Sequence, residues 1–145
     1  MTANANQALR VLVVDDNRDS ADTLALLVKL QGHEAFVAYA SRDGIRLAAT
    51  VLPDLVIHDI ELPDMDGYAA ARQLREELRR RRTMFVALTA YSAKLDIQRA
   101  KDAGFHHHIV KPMSYEALQE VLDAASSTRL CDDDRLQREL KFHES

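Results

Sequence analysis

The chain has 145 residues, 47% hydrophobic and 29% charged, with a net charge of -4. That balance suits one folded domain and excludes a wholly disordered chain. The mild negative charge leaves no footprint for nucleic acid or an anionic membrane.

The elements follow in chain order. Arg10–Val14 reads as a buried strand running into Asp15 and Asp16. Ala21, Leu24, Leu27 and Val28 share one helical face, ending at Gln31–Gly32, where glycine is a natural C-cap. The run Glu34–Ala38 ends without a polar residue of chemical interest. Ile45, Ala48, Ala49 and Leu52 predict a second helix, with Ser41 as N-cap and Pro53 just past its end. Leu55–His58 runs into Asp59, and Tyr68, Ala71, Leu74 and Leu78 predict a third helix. Phe85–Leu88 runs into Thr89, and Leu95, Ala100 and Ala103 precede Gly104 in a fourth helix. Ile109–Val110 runs into Lys111–Pro112. Ala117, Leu118, Val121, Leu122 and Ala125 form a fifth helix, capped near Ser114.

Five strand–helix repeats predict an α/β fold, a doubly wound parallel sheet with right-handed crossovers. The expected division is a flexible N-terminus at 1–8, a folded domain at 9–126 and a tail at 127–145. Asp132–Asp134, Leu136 and Leu140 fit a short extra helix in that tail; a solvated tail is the plainer reading. Cys131 is the single cysteine, so no internal disulfide framework exists and a reducing compartment is expected. Met1–Ala8 is polar and shows no secretory signal. No apolar run approaches the ~20 residues of a membrane helix. The expected location is cytoplasmic.

Open parallel sheets keep ligand sites at the carboxyl ends of their strands. Asp15, Asp16, Asp59, Thr89 and Lys111 all fall there. Asp15 and Asp16 alone read equally well as helix caps. Together with a hydroxyl and an ammonium, the three carboxylates suit a divalent cation and a phosphoryl group. The four glycines, Gly32, Gly44, Gly67 and Gly104, spell neither GxGxxG nor a P-loop, so a glycine cradle for nucleotide is excluded. Gly67 allows a tight turn into the third helix.

VLVVDDN at Val11–Asn17, DIELPDMDGY at Asp59–Tyr68, LTAYS at Leu88–Ser92 and VKP at Val110–Pro112 resemble the receiver domain of bacterial two-component response regulators. The spacings agree: 43 residues from Asp16 to Asp59, 30 to Thr89 and 22 more to Lys111. The resemblance, not the spacing, supplies a flavodoxin-like five-stranded sheet of order 2-1-3-4-5. It also implies a non-enzymatic phosphoacceptor, with Asp59 taking a phosphoryl group from a kinase phosphohistidine. Asp16, Asp59 and the Glu61 backbone carbonyl would hold Mg²⁺, or Mn²⁺, with Asp15 acting through metal-bound water. Lys111, before a cis Pro112, would neutralise phosphoryl charge, and Thr89 would sense it. A histidine kinase or phosphotransfer protein would be the donor. The output partner would dock on the face from the fourth helix to the fifth strand; oligomeric state stays open.

His108 stands three residues before the lysine, where the family usually has Tyr or Phe as an aromatic switch. Glu61 and Tyr91 lie where the family tunes acyl-phosphate lifetime. His106-His107-His108 offers at most two side chains to one face of a strand, too few for an ordinary zinc site. His58 alternates away from Asp59 and is expected under a helix. Arg72, Arg75 and Arg79–Arg82 form a basic patch without interleaved aromatics, which reads as a solvated helix end. Two other functions stay open. One is a phosphorylation-independent interaction domain. The other is an aspartyl-nucleophile phosphatase, whose usual DxD pattern is absent.

Overall fold

A computed structural model describes residues 8–79, 81–90 and 97–130. Tyr91, Leu95, most of the expected N-terminal segment and the tail from Cys131 onward lie outside them. Five strands alternate with five helices: β1 Arg10–Val14, α1 Arg18–Leu30, β2 Glu34–Ala38, α2 Ser41–Val51 and β3 Leu55–Asp59. Then come α3 Gly67–Glu77, β4 Met84–Thr89, α4 Ile97–Ala103, β5 His107–Val110 and α5 Tyr115–Leu130. The sheet runs β2-β1-β3-β4-β5, every pair parallel. None of the described helices is long and apolar enough to cross a membrane.

The apolar runs are continuous because helices cover both sheet faces. Leu12, Val14 and Val56 pack with Ala48, Ala71, Leu74 and Ala103 of α2, α3 and α4. Val11, Val13, Leu55 and Ile57 pack with Leu24 and Val28 of α1 and Leu118 and Leu122 of α5. Ile57 is fully buried, and truncating such a side chain to Ala costs about 2–5 kcal/mol.

Three details depart from the sequence reading. Ser41 is the first residue of α2, and Ala40 holds the cap position without a side-chain bond. The Asp64 carboxylate caps the helix from afar, accepting from Ser41 N at 3.0 Å and Arg42 N at 3.1 Å. β5 starts at His107 because His107 and His108 pair with Val86 and Ala87 of β4. As exposed residues of an edge strand they carry no apolar signal. Leu52 closes α2 at φ 54°, a left-handed residue ahead of Pro53. Elsewhere the expected caps hold: Gly32 follows α1 at φ 91°, and Ser114 Oγ accepts from Ala117 N at 3.0 Å.

Candidate functional site

Each site residue is placed by the end of a strand. Asp15 continues β1, its amide donating to Ala38 O at 3.1 Å. Asp59 is the last residue of β3, opposite Leu88. Thr89 ends β4, and Lys111 follows β5, its amide donating to Thr89 O at 2.8 Å. β1 and β3 are adjacent, so Asp15, Asp16 and Asp59 converge, with ligand oxygens all within 4.8 Å of one another. Asp15 and Asp59 are buried, and Asp16 is exposed.

Lys111 bridges the two buried acids. Its Nζ lies 2.6 Å from Asp59 Oδ2 and 3.3 Å from Asp15 Oδ2. The other oxygens are held by backbone: Asp59 Oδ1 accepts from Glu61 N at 2.8 Å, and Asp15 Oδ1 from Asn17 N at 3.0 Å. Burial pushes the Asp15 carboxyl above its ordinary value, opposed first by the Asn17 amide and then by Lys111. Burial lowers the Lys111 ammonium, but Asp59 and Asp15 outweigh it, so its value stands above that of a free lysine. The Lys111–Pro112 bond is cis, as the family resemblance implied.

The loop after β3 is pinned at Gly67. A Cβ there would sit 2.3 Å from Ile60 Cα, so only glycine lets the loop fold back and donate to Ile60 O at 3.2 Å. From this loop Asp66 accepts from Arg99 of α4 at 2.9 Å, and the Arg99 guanidinium lies 4.3 Å over the Tyr68 ring. The Thr89 hydroxyl donates to its neighbour Ala90 O at 3.4 Å, not to a carboxylate. His108 is exposed on β5, away from any core position.

Two supporting residues escaped the sequence reading. Asn17 caps α1, accepting from Ser20 N at 3.0 Å, a local signal that its position ahead of the helix carries. His58 is fully buried, as expected of its alternation, but its Nδ1 also lies 2.7 Å from Asp59 O. A carbonyl only accepts, so Nδ1 holds the proton and donates. Burial keeps this ring below its ordinary value, hence neutral, and fixes the backbone of the central acid.

Three clustered carboxylates with one ammonium between two buried acids form an all-oxygen site short of positive charge. That donor set fits a hard divalent cation and suits neither a thiolate nor an imidazole metal.

The comparisons with known proteins agree with this geometry. An uncharacterized 14.6 kDa protein of Leptolyngbya boryana is 33% identical over 103 residues, covering 71% of this chain and 79% of that protein. Regulatory protein AtoC of Escherichia coli is 31% identical over 116 residues, 80% of this chain, which spans only 25% of that longer protein. A receiver-domain structure from Methylobacillus flagellatus superimposes with TM-score 0.75 at 26% identity, covering 81% of this chain and 98% of that one. The family description "Response regulator receiver domain" matches residues 11–123, from the start of β1 into α5 and across every strand end that carries the acids, Thr89 and Lys111. With the sheet order, the acidic cluster and that match in agreement, the chain belongs to the response regulator receiver domains of two-component systems.

Proposed function

We propose that the chain is an aspartyl phosphoacceptor, with Asp59 the residue modified. The observation that carries this is Lys111 Nζ between Asp59 and Asp15, at 2.6 Å and 3.3 Å, on two carboxylates nearly removed from water. A Asp59 carboxylate oxygen attacks the phosphorus of a phosphohistidine. The P–N bond breaks, its electron pair returns to the imidazole, and an acyl phosphate O–P bond forms. Lys111 moves from neutralising a carboxylate to neutralising phosphoryl oxygens.

Asp16, Asp59 and the Glu61 carbonyl would hold Mg²⁺, with Asp15 supporting its water; the ion supplies charge neutralisation in the transfer. Thr89 is the hydroxyl placed to turn from Ala90 O toward the new phosphoryl oxygen. Its backbone is bonded to Lys111, so that turn pulls on the end of β5. The Arg99–Asp66 contact links the loop after Asp59 to α4, which supports an output face on α4 and β5. His108 replaces the family's aromatic on that face. A sensor kinase or phosphotransfer protein is the donor, in the cytoplasm.

The test is labelling by acetyl phosphate or a phosphohistidine donor. Mg²⁺-dependent incorporation of one phosphoryl group per chain is expected, and none in Asp59→Asn. Undiminished labelling of Asp59→Asn would remove Asp59 from the role. Steady release of phosphate from small esters would point to a phosphatase instead.

A further inference from the structure

The amino end of the sheet, opposite the acids, carries the reverse charge. A cleft of about 640 Å³ opens there between α3 and α4, under the starts of β4 and β5. Arg72 and Arg75 of α3, Arg79 and Arg81 of the turn that follows it and Lys101 of α4 line it, with Glu76 the one acid in its wall. Five cations against one carboxylate is a sharp local excess in a chain of net charge -4.

Three of the cations are partly engaged. Arg79 pairs with Glu76, Arg81 with Asp54 at 3.2 Å, and Arg75 donates to Asp102 O at 3.2 Å. The side chains of Arg72 and Lys101 make no hydrogen bond or ion pair with the described residues. The Arg75 side chain lies across Gly104, at φ 110°, where a Cβ would fall 1.9 Å from Arg75 Cδ. His106 adds a donor. Its Nδ1 accepts from Phe85 N at 2.9 Å, so in the neutral ring the proton sits on Nε2.

Basic groups in last helical turns complement the helix dipole, each worth about 0.3–1 kcal/mol. That accounts for the sign of Arg75 and Lys101, but not for cations of three elements converging on one concavity. Guanidinium forks match phosphate oxygens two at a time, and an ammonium adds a point charge. The volume falls in the range of small-ligand sites, roughly 300–1,000 Å³. Nucleic acid fits less well, since stacking needs exposed rings and Phe85 and Phe105 in the wall are buried.

We propose that this cleft binds a small polyphosphate anion, one with two or more linked phosphates, at a site separate from the acidic pocket. The test is calorimetry of the full chain with inorganic tripolyphosphate, ATP and GTP, in EDTA at about 150 mM salt, where long-range attraction is screened. Saturable one-to-one binding is expected, unchanged in Asp59→Asn. It should weaken about tenfold or more in the Arg72→Gln, Lys101→Gln double variant. Acetyl phosphate labelling of that double variant at the wild-type rate shows that it is folded. A nucleotide binding more tightly than tripolyphosphate identifies a nucleotide as the source. Equal affinity identifies the phosphate chain alone; either result supports the site. Three results would each overturn it: no saturable binding of any of the three anions, equal affinity in the double variant, or tighter binding of a single-stranded oligonucleotide.

Discussion

The two ends of the sheet hold charge in opposite ways. At the carboxyl end, Asp15 and Asp59 terminate strands and are 1% and 3% exposed. At the amino end, the side chains of Arg79 and Arg81 project from the turn after α3 and stay 62% and 37% exposed. The first set is aimed by backbone and desolvated, so each charge there depends on its partner. The second set is hydrated whether or not anything binds. Helices antiparallel to the strands put their positive ends over the acids and their negative ends over the arginines, which suits both. The contrast teaches that equal numbers of charges need not carry equal energy, and substitutions can measure that.

The largest expected effect is at Lys111. Lys111→Met leaves two buried carboxylates without their ammonium, costing about 1–3 kcal/mol in metal-free protein, less than a fully buried pair because the lysine is 26% exposed. Losing one preorganised cation should also slow labelling by about a hundredfold or more. Because the folded Lys111 value is raised, its contribution is fully present below the unfolded lysine value and is lost only as pH rises through the folded one. The deficit of Lys111→Met in urea unfolding should therefore be flat between about pH 6 and 9. Arg79→Met at the other end removes a hydrated pair with Glu76 and should cost under about 0.5 kcal/mol. Equal costs for the two would break the contrast.

Mg²⁺ comes next. Binding to the folded acidic cluster alone should raise unfolding free energy by about 1–3 kcal/mol near saturation. Excess EDTA should reverse the gain, and Asp16→Asn should remove most of it. A gain that survives Asp16→Asn would place the cation elsewhere.

The acidic end was legible in the sequence for a physical reason. A strand covered on both faces must be apolar until it reaches the edge where ligands bind, so Val11–Val14 stops at Asp15 and Leu55–His58 at Asp59. The amino end was only half legible. Arg72, Arg75 and Arg79 lie on one helix and the turn that ends it, and read as a solvated helix end. Lys101 and Gly104 join them only once α4 folds beside α3. His107 and His108 hid the start of β5, because an exposed edge strand has no hydrophobic signature. His58 was placed under a helix correctly, but its bond to Asp59 O depends on a rotamer that no pattern encodes.

The smallest expected effect concerns the cap that Ser41 was expected to provide. Asp64 reaches back 23 residues to the first amides of α2, at the same end of the sheet as the acids. Asp64→Ala should therefore cost about 1 kcal/mol, the ordinary worth of an N-cap. Ser41→Ala should change stability by less than about 0.5 kcal/mol, because the buried Ser41 Oγ has no partner to lose. Burial raises the Asp64 carboxyl, but the Arg42 and Ser41 amides outweigh it and hold it below the usual carboxylate value. A depressed folded value gives stability that is present above the unfolded value and lost as pH falls through the folded one. The Asp64→Ala deficit should thus narrow below about pH 4. A larger loss from Ser41→Ala than from Asp64→Ala would return the cap to the serine. It would also leave the loop after β3 without its tie to α2, so that Gly67 and the Arg99–Asp66 contact alone hold the backbone beside Asp59.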